Sequence, residues 1–123
     1  MTKHILLAED HPVFRRMVEK AVIRAGFNCT AVTNGQEAVE FFKSQSFDLI
    51  IMDGNMPVMD GFEATKRIRE DEANNDKSRI PIILHSSLVD PEIGRRCQDC
   101  GIDAFVPKST GKPLIAVVKK FLE

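Results

Sequence analysis

Tryptophan and tyrosine are both absent from the 123 residues, so a flavin would find no indole or phenol to stack on. Cysteine is scarce and odd in number. Cys29, Cys97 and Cys100 build no disulfide framework, and the single Cys97-x-x-Cys100 pair lacks the second pair that a zinc site would need. Both belong to a helical stretch and read as small buried hydrophobes. There is no excess of either charge: the formal net charge is -1 and the isoelectric point about 6.3. That argues against a general nucleic-acid or membrane-surface binder, which needs a basic surplus. Long apolar runs are missing too. The longest early one, Ile5 to Ala8, is too short for a signal peptide or a membrane span, so the expected setting is a reducing cytoplasm.

What is present supports a real core. Hydrophobic residues make up 43% of the chain, and its length suits one domain, residues 1–123, with no internal repeat or linker. The organising stretch runs from Phe47 to Gly61. Leu49 to Met52 is apolar throughout, as in a strand buried on both faces. It stops at Asp53, turns through Gly54, Asn55 and Pro57, and reaches Asp60, an N-cap with Glu63 three residues on.

The remaining elements alternate in kind. Ile5–Ala8 reads as a strand ending on Glu9 and Asp10. His11-Pro12 opens a helix with apolar positions Val13, Met17, Val18, Ala21 and Val22, closed by Gly26. Cys29–Val32 is a second strand, and Asn34 with Glu37 begins a second helix. After the central strand comes a helix carrying Phe62, Ala64 and Ile68, then a polar connector over 70–79. Ile80–Leu84 is a fourth strand running into His85 and Ser86. Asp90-Pro91-Glu92 starts a fourth helix, in which Gly94 costs about 1 kcal/mol against Ala. Ala104–Val106 precedes Pro107-Lys108, and Leu114, Val117, Val118 and Phe121 mark the inner face of a last helix. Five strands alternating with five helices give a doubly wound α/β fold, a parallel sheet covered on both faces by right-handed crossovers.

Four of those strands end in polar groups: Glu9-Asp10, Asp53, Ser86 and Lys108. A parallel sheet puts these ends on one edge, where ligands of open α/β sheets bind. If the first and third strands are neighbours, three carboxylates converge and cannot all stay ionised without compensation. A hard cation such as Mg²⁺ accepts that oxygen cluster. Lys108 and the Ser86 hydroxyl complete a cradle for a phosphoryl group. A carboxylate can itself be the nucleophile, giving an aspartyl phosphate. Taken alone, Glu9 and Asp10 also suit an ordinary helix-start pair. His85 should face away from Ser86 as a packed histidine, and His11 reads as a local capping or surface residue rather than a relay.

These motifs, Ile5-Leu6-Leu7-Ala8-Glu9-Asp10, Asp53-Gly54-Asn55-Met56-Pro57-Val58-Met59-Asp60-Gly61, Ser86 and Lys108, resemble those of the receiver (response-regulator) domains of two-component and phosphorelay signalling. The likeness covers essentially the whole chain. It implies the flavodoxin-like (βα)5 receiver fold with sheet order 2-1-3-4-5. It implies that Asp53 accepts a phosphoryl group from a histidine kinase or histidine phosphotransfer protein. Glu9, Asp10, Asp53 and the backbone carbonyl of Asn55 would hold Mg²⁺, and Lys108 and Ser86 would contact the phosphoryl oxygens. Phe105 takes the switch-aromatic position. The surface of the fourth helix, fifth strand and fifth helix would then change for a downstream effector, or for dimerisation. Such a domain is no enzyme beyond its own phosphorylation and dephosphorylation.

Three positions depart from the family pattern. Ser86 replaces the commoner Thr, and Phe105 lacks a phenol. Ser109 follows Lys108 where Pro is usual, so a cis bond there would cost about 2.5–4 kcal/mol. The resemblance also implies that Asn55 and Leu88 border the path of a hydrolytic water, Leu88 as an apolar cover or merely packed on the fourth helix. The rival reading is a Mg²⁺-dependent phosphatase or phosphotransferase with Asp53 as nucleophile. It lacks a second carboxylate two residues after Asp53, and a cap domain. The residues do not name the output, and they fit a stand-alone regulator or a piece of a larger protein equally.

Overall fold

The computed structural model describes residues 2–87, 90–108 and 111–123. Strands β1 (His4–Ala8), β2 (Asn28–Val32), β3 (Leu49–Met52), β4 (Ile82–Ser86) and β5 (Ala104–Pro107) alternate with helices α1 (Pro12–Arg24), α2 (Gly35–Ser44), α3 (Gly61–Asn74), α4 (Ile93–Cys100) and α5 (Gly111–Leu122). All four strand pairings are parallel and the sheet order is β2-β1-β3-β4-β5. The order reverses between β1 and β3, whose carboxyl ends are in register, Ala8 beside Met52. That is where the expected carboxylates must meet.

Side-chain alternation along each strand divides the core in two. Leu6, Ala8, Ile50, Met52, Ile82 and Leu84 pack with residues of α2, α3 and α4. Ile5, Leu7, Leu49, Ile51, Ile83 and Val106 pack with Val18 and Val22 of α1 and Leu114 and Val118 of α5. The helix starts are set by local chemistry. The Asn34 side chain accepts from the Glu37 N–H and the Asp60 side chain from the Glu63 N–H, both at 2.8 Å. His11 Nδ1 accepts from the Val13 N–H, ahead of Pro12 at the first helical position. Gly101 ends α4 in the left-handed region at φ 94°.

Three expectations change. Val13, in the first turn of α1, is 65% exposed, because that turn projects past the packed part of the helix. The buried stripe of α5 runs through Leu114, Val118 and Leu122, which leaves Phe121 turned outward. The connector over 70–79 is not solvated throughout. Glu72 is buried, paired with Arg69 at 2.9 Å and accepting from the Ile80 N–H at 2.9 Å. Arg69 also reaches Asp103 at 2.8 Å and donates to the Ile80 and Gly101 carbonyls, tying α3 to the starts of β4 and β5. A polar run conceals such an anchor because its partner, Asp103, is distant in sequence.

Candidate functional site

Glu9, Asp53, His85 and Lys108 continue the alternation of one face: Ile5 and Leu7 lead to Glu9, Leu49 and Ile51 to Asp53, Ile83 to His85, and Val106 to Lys108. The backbone is held there by Asp53 N–H donating to the Ala8 carbonyl at 3.0 Å and Lys108 N–H donating to the Ser86 carbonyl at 3.1 Å. On α1, Arg15 donates to the carbonyls of Glu9 and Asp10, at 3.0 and 3.1 Å, and clamps the turn between strand and helix.

The carboxylates converge as the sheet order requires. Glu9, Asp10 and Asp53 each offer an oxygen within 4.8 Å of the others, with Asp10 exposed and the other two buried. Lys108 lies between the buried pair, its Nζ 2.8 Å from Glu9 Oε1 and 3.0 Å from Asp53 Oδ2. The same ammonium stands 4.7 Å from the centre of the Phe14 ring. Glu9 Oε2 accepts from the His11 N–H, and Asp53 Oδ1 accepts from the Asn55 N–H at 3.3 Å.

Electrostatics follow from burial. Burial pushes the Glu9 carboxyl up to about 7, against the pull of Lys108 and with help from the Asp53 charge. For Lys108, burial opposes the ammonium, but its bonds to Glu9 and Asp53 win and raise its pKa above the ordinary lysine value. The site therefore carries three acidic groups and one cation, with the Asp10 carboxylate open to solvent. An all-oxygen donor set of that kind fits a hard divalent cation, and among the described residues no cysteine or histidine belongs to the group.

The other expected residues lie around this core. Ser86 is buried at the end of β4, and Asn55 is exposed in the loop after β3. Phe105 is 37% exposed and borders a cavity of about 440 Å³ whose other walls include Ser86, Ile93, Pro107 and Lys108. Leu88 and the bond from Lys108 to Ser109 lie outside the described residues. Two contributors were not singled out from sequence, Phe14 and Arg15. Their place on the first turn of α1, just past the acids, was the available signal. His85 is buried as expected, but its Nε2 has no hydrogen-bond partner among the described residues. Burial pushes that imidazole down to about 4, with the Lys108 charge adding to the effect and Asp53 opposing it.

Residues 5–119 match the response regulator receiver domain family. The chain belongs to that family. It is 40% identical over 121 residues to hybrid signal transduction histidine kinase F of Dictyostelium discoideum, covering 97% of this chain and 11% of that protein. The gliding motility regulatory protein of Myxococcus xanthus is 37% identical over 85% of this chain and 13% of its own length. The receiver therefore spans roughly a tenth of such curated relatives. Among solved structures, chemotaxis protein CheY4 of Vibrio cholerae superposes with a TM-score of 0.89 at 26% identity, over 98% of this chain and 99% of that one. Response regulator protein TrrA of Thermotoga maritima, solved in complex with Mg(2+)-BeF, does so at 0.84 and 28%, with coverage of 98% and 99%. Receiver domains of two-component signalling are phospho-accepting switches rather than classical enzymes. The small-molecule phosphatase reading finds no support in these relatives. No helix among the described residues is long and apolar enough to cross a membrane.

Proposed function

We propose that residues 1–123 form a single receiver domain in which Asp53 is the phosphoacceptor. The observation that carries this reading is the position of Lys108, bonded at once to Asp53 and Glu9 in a buried pocket that also meets Asp10. A carboxylate nucleophile needs its charge held in check and its attack line fixed, and a buried ammonium at 3.0 Å serves both ends. Glu9, Asp10, Asp53 and the Asn55 backbone carbonyl would hold Mg²⁺, which when bound supplies charge neutralisation for the phosphoryl oxygens. The donor is a histidine kinase or histidine phosphotransfer protein, and the setting is the cytoplasm.

The protein's own groups then divide the work. The Asp53 carboxylate attacks phosphorus and the donor nitrogen departs. Lys108 turns from the free carboxylate toward a phosphoryl oxygen, and the Ser86 hydroxyl is drawn to another. Movement at Ser86 alters the cavity that Phe105 borders, so the ring turns inward and the α4–β5–α5 surface changes for an effector or for dimerisation. Asn55 and Leu88 tune loss of the phosphoryl group. Intact-mass spectrometry after incubation with acetyl phosphate tests the assignment. Wild type should gain one phosphoryl group only with Mg²⁺ present, and Asp53→Asn none. Equal uptake by both proteins would remove Asp53 from the role.

A further inference from the structure

Helices α1 and α5 lie side by side on one face of the sheet and leave a trough of about 760 Å³ between them. Its floor is apolar and low, formed by Met17, Ala21, Ile115 and Ala116. Its banks are cationic: Lys20 and Arg24 on one side, Lys112 and Lys119 on the other, all exposed. The charge is concentrated here. These two helices hold seven of the chain's 17 Lys and Arg residues and, in Glu19, one of its 18 acids. A chain of net charge -1 thus presents one strongly basic face with an apolar furrow along it.

We infer that this trough docks an acidic amphipathic helix of a partner protein. The α1 wall from Met17 to Ala25 rises about 12 Å, the length of roughly two helical turns. A visiting helix would therefore seat apolar anchors at i, i+4 and i+7 on the small residues of the floor, with its acidic flanks against the four cations. Each alternative occupant meets an obstacle. A second copy of this chain brings the same four cations face to face, which is repulsive. A nucleic acid finds cations but no aromatic ring in the trough to stack on. A bilayer is flat where this surface is concave.

No residue of β4, α4 or β5 lines the trough. The trough shares only its α5 wall, Lys112, Ile115, Ala116 and Lys119, with the switch surface, and docking serves to tether the receiver rather than to read its switch. The inference stands apart from the assignment of the phosphoacceptor, since none of Glu9, Asp10, Asp53, Ser86 and Lys108 lines the trough.

The test is NMR titration of isotope-labelled protein with a synthetic helical peptide bearing Leu at i, i+4 and i+7 and Glu on both flanks. A second peptide has Lys in place of each Glu. Saturable shifts should centre on Met17, Ala21, Ile115 and Ala116, for the acidic peptide alone. The Lys20→Glu, Lys119→Glu double variant changes two exposed side chains, so its fold is checked by its unperturbed spectrum. It should bind the acidic peptide at least tenfold more weakly, and beryllofluoride with Mg²⁺ should change wild-type affinity less than twofold. Equal binding of the two peptides, or no saturation by about 1 mM, a bound of about −4 kcal/mol, overturns the inference. So do shifts centred on α4 and β5, a concentration-dependent dimer through α1 and α5, or binding to phosphatidylserine vesicles without binding to the peptide.

Discussion

The Lys108 ammonium donates to Asp53 at 3.0 Å while also pairing with Glu9 at 2.8 Å, and all three side chains are buried. One cation therefore compensates two buried carboxylates. Removing it strands both, and breaking a buried pair costs about 3–5 kcal/mol. Lys108→Ala should be less stable than wild type by about 3 kcal/mol in Mg²⁺-free urea melts. Millimolar Mg²⁺ should return part of that loss, and phosphate uptake should remain slow. A melt identical to wild type without Mg²⁺ would mean that Lys108 is not the compensating charge.

His85 should favour unfolding in acid. Its folded pKa, about 4, lies below the ordinary 6.5, so the unfolded chain binds the proton first as pH falls. Stability from this residue is full above pH 6.5 and is lost as pH falls toward 4, by about 3 kcal/mol at 1.36 kcal/mol per pH unit. Glu9 works in the opposite sense: its raised pKa stabilises the fold at low pH and is lost as pH rises through about 7. The two partly cancel in wild type, so a comparison is needed. His85→Gln should gain on wild type steadily from pH 6.5 to 4, measured by urea melts, whereas Glu9→Gln should gain as pH rises. Parallel pH profiles for His85→Gln and wild type would contradict a neutral buried imidazole.

Much of this site was legible in the chain because strand ends and chemistry coincide. Apolar runs ending on Glu9, Asp53 and Ser86, with Lys108 just past a fifth, locate one sheet edge once the strands are known to be parallel. Alternation also placed His85 opposite Ser86. What escaped was long-range pairing. Nothing local says that Lys108 sits on the Phe14 ring, or that Glu72 in a polar run is buried by Arg69 and so linked to Asp103. Helix ends misled as well: Val13 and Phe121 keep the apolar period but lie where the neighbouring layer stops.

Val58 is held at φ 69° and is 82% exposed, in the loop between β3 and α3. A β-branched residue in the left-handed region pays about 1–2 kcal/mol, and here no packing offsets it. Val58→Asn should raise stability by about 0.5–1 kcal/mol, since Asn tolerates that conformation. An exposed apolar group five residues after the proposed phosphoacceptor Asp53 would serve contact with the donor. Phosphotransfer from a histidine phosphotransfer protein should then slow in Val58→Asn while uptake from acetyl phosphate does not. A variant no more stable than wild type, or one slowed equally with both donors, would count against this.

Gly61 opens α3 directly against the Asp53 backbone. A Cβ there would lie 2.0 Å from the Asp53 carbonyl oxygen and 2.8 Å from the Met52 side chain, and neither backbone nor core can yield that much. Gly94, in the first turn of α4, is the internal contrast, with nothing within 4 Å of the same atom. Adding a methyl group at Gly94 only restricts the unfolded chain and should stabilise by about 0.4–1 kcal/mol. At Gly61 the same change must push the β3–α3 loop away from the sheet edge. Overpacking of this kind costs about 1–3 kcal/mol. The displaced segment also carries Asp53, so its bond to Lys108 should open and phosphate uptake from acetyl phosphate should fall more than tenfold, even where the protein remains folded. Gly94→Ala should take up phosphate at the wild-type rate. Urea melts and intact-mass kinetics on the two variants measure both effects. Wild-type uptake by a destabilised Gly61→Ala would show that the Asp53 carboxylate keeps its place without that close contact.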